Sequence, residues 1–194
     1  MRRHMHVMVF TLMSLMAFLA GLIGEARAGE FAFESIRIRG GVSGGSPLGR
    51  ERQSDFNQID LAATVRLPWE KELGGGWMLG TRMLASLGAL RGAGEANGVM
   101  TVVPLDIVVG RKDGLVAIDM GGGGALLSDS KFGRQNFGGP FQFVWTFGIT
   151  SRVAGPLGIG YHFQHYSDAT LYGQDSRGVD LHLIELIYWF DRRD

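Results

Sequence analysis

The chain has no cysteine, no surplus of either charge, and no second long apolar run after its first segment. Each absence excludes something. Without cysteine there are no disulfides, so an exported chain must be held by a packed core or by closure of a sheet. With 19 Lys+Arg against 19 Asp+Glu there is no basic excess to suggest a nucleic-acid partner. Beyond residue 28 no stretch reaches the roughly 18 consecutive apolar residues that a membrane helix needs. Nor does any stretch carry the 3.6-residue apolar period of an amphipathic helix.

The first segment is different. Met1-Arg2-Arg3 is followed by an apolar run from about His6 to Ile23 and then by Ala26-Arg27-Ala28. A positive start, an apolar middle and an A-x-A end describe a secretory signal peptide. Residues 1–28 are therefore expected to be a leader cleaved before Gly29, and residues 29–194 a single domain. Loss of Arg2, Arg3, Arg27 and Glu25 leaves the mature chain slightly acidic.

What the mature chain has is alternation. Ile59, Leu61, Ala63, Val65 and Leu67 alternate with Asp60, Ala62, Thr64 and Arg66. Val116, Ile118 and Met120 alternate with Ala117, Asp119 and Gly121. Phe141, Phe143, Trp145, Phe147 and Ile149 alternate with Gln142, Val144, Thr146, Gly148 and Thr150. A period of two is the mark of a strand. Less regular runs lie at about 31–43, 78–91 and 98–110, and a last hairpin runs from Leu157 to Phe190, making eight strands. In the first, Phe31, Phe33, Ile36 and Ile38 change parity, which predicts a bulge or a late start.

Strand length decides between two kinds of β protein. Soluble sandwiches use strands of about five or six residues. These runs reach about ten, the length of a tilted strand that crosses a bilayer. One face is bulky and apolar; the other carries Gly, Thr, Gln, Asp and Arg. A soluble carrier of lipocalin type would turn the apolar face inward. An outer-membrane barrel turns it to lipid and fills its narrow lumen with the small polar face. The expected fold is all-β: an eight-stranded antiparallel transmembrane β-barrel of the outer membrane. The 31 glycines suit that crowding. The Gly121–Gly124 run lacks the Lys-Ser/Thr that completes a phosphate loop and is read as strand and bend.

With both termini periplasmic, the connections 44–54, 92–97, 127–138 and 167–177 lie outside, and 70–76, 111–113 and 154–156 inside. The outer ones are mostly longer, as in outer-membrane barrels. Tyr188-Trp189-Phe190 forms an aromatic cluster suited to the membrane interface.

The chemistry gathers in the last hairpin. Leu157, Ile159, Tyr161 and Phe163 share one face, and that face continues into His165 and Ser167. After a loop, Gly178-Val179-Asp180 starts the neighbouring strand. A hydroxyl, a base and an acid then meet at one strand end, the parts of nucleophilic acyl transfer. They sit on the lipid face, near the outer-leaflet headgroups, so a hydrolase here acts on a leaflet lipid. That leaflet is largely lipopolysaccharide. His162 and Glu185 fall on the lumen face. His182 shares the parity of Asp180 and is a rival partner for it. The three histidines do not share a face, so no metal is expected.

His165-Tyr166-Ser167-Asp168-Ala169, followed by Gly178-Val179-Asp180, resembles the active-site hairpin of the lipid A 3-O-deacylase (PagL) family, which has H-x-S-N-A and then Gly, an aliphatic residue and an acid. The stretch from Phe132 to Phe143 (FGRQNFGGPFQF) resembles that family's segment leading into strand six. The resemblance is good over about Gly121 to Phe190 and architectural over the first four strands. It implies an outer-membrane esterase that removes the 3-hydroxyacyl chain at position 3 of lipid A without metal or cofactor. Ser167 matches the nucleophile, His165 the general base, and Asp180 the acid, where the best-known members have Glu. Asp168 stands where the family has Asn at the oxyanion and substrate-binding position. Backbone N–H groups from Asp168 to Thr170 are further donors there, and Phe143 is an acyl-chain contact. The implied partners are lipopolysaccharide and outer-membrane lipid, with a homodimer left open. The alternative reading is a non-catalytic structural or adhesive barrel.

Overall fold

The structure, a computed structural model, describes residues 27–28, 31–45, 55–173 and 178–190. Apart from Arg27 and Ala28, the expected leader lies outside the described residues, as does the charged tail 191–194. Eight long strands are found among the described residues: β1 Ala32–Ser43, β2 Phe56–Gly74, β3 Trp77–Gly92, β4 Glu95–Arg111, β5 Ala117–Leu127, β6 Phe141–Ala154, β7 Leu157–Ser167 and β8 Val179–Trp189. Each pairs antiparallel with its neighbours in sequence. β8 pairs back onto β1, from Leu181↔Ser43 to Trp189↔Ser35, and closes the barrel. Closure removes the unpaired edges that lipid could not satisfy.

The barrel is inverted relative to a soluble protein. Ile59, Leu61, Leu87, Phe147, Ile159, Ile184 and Leu186 are exposed on the outer wall, while Arg37, Arg39, Asp60, Arg82, Asp119, His162 and Glu185 are buried inside. The lumen has two regions. At the end where β7 stops, Phe56, Phe132 and Phe137 meet edge to face at 5.2 to 5.7 Å. Phe132 and Phe137 come from the β5–β6 connection, which folds over this mouth with a two-residue ladder (Lys131–Phe132 against Gln135–Asn136). Below lies a layer of charge. Arg39 grips Asp60 with two hydrogen bonds of 2.6 and 3.1 Å and reaches Ser86 at 2.9 Å. Arg82 reaches Asp106, Asp119 and Glu34 at 3.0, 3.1 and 3.3 Å. Arg37 pairs with Glu185 at 3.0 Å, and His162 stands between Asp119 and Glu185. Buried charges persist only when paired in this way.

Several local expectations meet the structure here. The parity change in β1 is a register shift between Phe33 and Ser35. The glycine run lies wholly within β5, opposite the register shift between Val102 and Leu105 of β4. The connection expected over 92–97 is only a two-residue turn, Ala93-Gly94, both residues at positive φ. Twisted two-residue hairpins need that conformation, so the strands continue almost to the tip. Of the terminal aromatics, Tyr188 and Phe190 lie outside and touch at 5.2 Å. Trp189 follows the alternation inward, under the Arg152 guanidinium at 5.2 Å.

Gly148 shows how tightly the lumen is filled. A Cβ there would fall 2.1 Å from Nε2 of His162, which is held by Asp119 at 2.7 Å. Gly148→Ala should lower folding stability by about 1–3 kcal/mol, the usual cost of overpacking. The urea midpoint of the folded band in a heat-modifiability gel would report it, and an unchanged midpoint would show that His162 can move aside freely.

Candidate active site on the outer wall

The end of β7 is set by an inward anchor. Tyr166 is fully buried; its hydroxyl donates to Gln58 at 2.9 Å, accepts from Gln164, and lies 3.3 Å from the Thr101 hydroxyl. With Tyr166 locked into the lumen, alternation turns its neighbours His165 and Ser167 outward. Tyr166 was not singled out from the sequence. Its signal was an aromatic placed on a face otherwise small and polar.

Across the hairpin, His165 is the direct partner of Asp180. Nδ1 of His165 is hydrogen-bonded to Oδ1 of Asp180. The imidazole is 24% exposed, whereas the carboxylate is 2% exposed. Gly178 makes the approach possible: a Cβ there would lie 2.3 Å from the Tyr166 carbonyl oxygen, so a side chain would push β8 away before it reached Asp180. Nδ1 being engaged by the acid leaves Nε2 as the ring's other basic position. On the other flank, Ser167 pairs with Phe143 and His165 with Trp145 of β6. Both aromatics stand exposed on the outer wall, and Phe143 meets Phe141 edge to face at 5.2 Å.

His182, the rival, is engaged elsewhere. Its Nδ1 lies 2.6 Å from the Tyr161 hydroxyl and its Nε2 3.2 Å from the Gly45 carbonyl oxygen. Glu185 faces the lumen beside Arg37, and His162 also lies inside the barrel, across the wall from His165.

The residues after Ser167 form a compact turn built on Asp168. Its carboxylate accepts the Thr170 N–H at 3.0 Å and the Tyr172 N–H at 3.1 Å, while its carbonyl accepts the Leu171 N–H at 2.9 Å. Ala169 and Thr170 both adopt left-handed φ values, 51° and 68°. That conformation is costly for a β-branched residue and persists only where surroundings impose it. The Asp168 side chain therefore points into its own turn, and the Thr170 N–H is taken by it. The turn is buttressed by the Tyr172 ring, which packs so closely on Gly139 that a Cβ there would fall 2.3 Å from the ring. Gln135 of the same β5–β6 connection donates to the Gly178 carbonyl at 3.4 Å. No sequence pattern signalled these two props. The remainder of the loop, 174–177, lies outside the described residues.

A closed, eight-stranded, inverted barrel with an apolar wall is an outer-membrane β-barrel. The family described as lipid A 3-O-deacylase (PagL) matches residues 57–189, more than half of the chain, and the chain belongs to that family. Among solved structures, the crystal structure of the outer membrane enzyme PagL superposes with a TM-score of 0.64 at 18% identity, covering 79% of this chain and 98% of that one. The outer membrane protein Ail of Yersinia pestis is a more distant likeness, with a TM-score of 0.45 at 13% identity, covering 82% of this chain and 99% of that one. A search of curated protein sequences finds no significant match.

Proposed function

We propose that this chain is an outer-membrane esterase that removes the 3-O-linked 3-hydroxyacyl chain from lipid A. The observation that carries the proposal is the His165–Asp180 hydrogen bond on the outer wall, with Ser167 on the same face two residues along, in a chain of the deacylase family. Residues 1–28 serve as the export leader, and the site end of the barrel faces the outer leaflet, where the lipid is embedded.

Nε2 of His165 takes the proton of the Ser167 hydroxyl as its oxygen attacks the ester carbonyl. Asp180 holds the ring in the required tautomer and stabilises the imidazolium that forms. The tetrahedral intermediate collapses, and the imidazolium returns its proton to the sugar hydroxyl that leaves. Water, deprotonated by His165, then attacks the acyl-enzyme; the fatty acid departs and Ser167 is restored. Such proton transfers contribute about 10²–10⁴-fold. Because Asp168 holds the N–H groups of Thr170 and Tyr172, the developing oxyanion is assigned to the backbone N–H of Ala169. The Asp168 carboxylate then shapes the turn rather than facing the oxyanion. Phe143 lies against the reacting acyl chain. No cofactor is required.

Mass spectrometry of lipid A from an outer membrane carrying the protein should show loss of one hydroxyacyl chain relative to the same membrane without it. Unaltered lipid A together with unaltered phospholipid would overturn the proposal in favour of a non-catalytic barrel.

A further inference from the structure

The outer wall beside the site is not uniformly covered. Along β6 it bears large side chains, but on β5 the outward positions 122 and 124 are glycines. The adjoining β4 slips register between Val102 and Leu105, with Pro104 in the gap. A proline cannot donate to the ladder, which suits this irregular point. The missing side chain at Gly124 and the displaced strand together leave a trough of about 390 Å³, within the size range of small-molecule sites. It is lined by Met100, Val102, Pro104, Gly124, Leu126 and Phe141, and the Phe141 ring forms one bank.

The trough lies level with the nucleophile. Ser167 pairs with Phe143, Phe143 with Gly124, and Gly124 with Val102. Two strand spacings, about 10 Å, separate Ser167 from Gly124 along that row. Between them Phe143 and Trp145 divide the wall into two lanes. A lipid whose ester sits at Ser167 lays the reacting chain along the near lane, and its other chains descend beside it in the same leaflet.

We propose that this trough is a second acyl-chain subsite, which takes a non-reacting chain of the same lipid A molecule whose 3-O ester is held at Ser167. The inference rests on the esterase reading above and adds what selects the substrate: a lipid bearing several chains side by side, rather than a single-chain ester. What ties this occupant to the reacting lipid is proximity: the trough lies two strand spacings from Ser167 in one row, within reach of a second chain on the same sugar headgroup.

Two experiments separate the subsite from the esterase reading. In the first, the Ser167→Ala barrel is placed in bilayers with lipid A carrying a diazirine on an acyl chain other than the 3-O chain. Crosslinks should concentrate in segments 98–105 and 121–127 and disappear in Met100→Trp and in Val102→Trp, each of which fills the trough from the β4 side. Equal labelling of those segments by a diazirine phospholipid would overturn the subsite, whatever the catalytic activity. In the second, kcat/KM is compared for lipid A and for a glucosamine bearing one 3-O-hydroxyacyl chain. The filled variants should lose about tenfold or more on lipid A, the scale of losing apolar contacts in a specificity pocket, and little on the single-chain ester. Equal losses on both substrates, or none on either, would overturn it. Loss of hydrolysis of both substrates by the unaltered protein, with the crosslinks in place, would remove the esterase reading and leave the lipid subsite standing.

Discussion

Ser167→Ala is expected to lower the proposed lipid A deacylation by about 10³-fold or more, because on that mechanism it removes the nucleophile and the covalent route and leaves only binding and oxyanion stabilisation. The barrel should remain folded. Ser167 sits at the last residue of β7, on the outer wall, and its place in the sheet depends on backbone pairing with β6 and on the inward anchor of Tyr166. Deleting one hydroxyl leaves both untouched. The heat-modifiable gel shift should therefore match that of the unaltered protein while turnover is lost. A serine-directed fluorophosphonate gives the complementary result: it should label the unaltered protein and fail to label the alanine variant. Retained turnover in a folded Ser167→Ala protein would sink the assignment of the nucleophile.

Arg82→Met should have the largest effect on stability. The guanidinium lies among Asp106, Asp119 and Glu34, all within 3.3 Å. Methionine keeps much of the volume and removes the charge, so three carboxylates are left facing one another in a closed lumen. Breaking a buried ion pair by removing one partner costs about 3–5 kcal/mol, and here Asp119 would keep His162 at 2.7 Å while all three carboxylates lose the guanidinium that neutralises them. The urea midpoint of the folded band should fall accordingly. Arg111→Met is the control: its pair with Asp113 at 2.7 Å is on an exposed turn, where such pairs contribute little. Equal midpoints for the two variants would mean that water enters the charged layer and screens it.

Alternation made the faces readable without coordinates. His165 and Ser167 outside, and His162 and Glu185 inside, follow from counting by two along one strand, because side-chain direction in a strand is a local property. The same counting exposed the bulge in β1, where parity broke. The closed eight-stranded barrel was also legible, since strand length and the inverted placement of polar residues are visible in the residue order itself.

Only the tertiary structure decided what depends on register and on which chain segments meet. Asp180 and His182 have one parity, and the β7–β8 register alone assigns the acid to His165 and leaves His182 to Tyr161. A slip there would change the partner without changing any local pattern. The same holds for Asp168, whose carboxylate is directed by a turn in which two residues adopt left-handed conformations. It holds for Tyr172 on Gly139 and for the Phe132 and Phe137 cap, where the β5–β6 connection folds back over the mouth. The trough beside Gly124 likewise arises from a slip between two strands. Within the strands the sequence by itself thus determined which face each side chain takes, and the closed sheet and its connections determined which of them touch, because a face follows from one strand's pleat while contact requires the alignment of several.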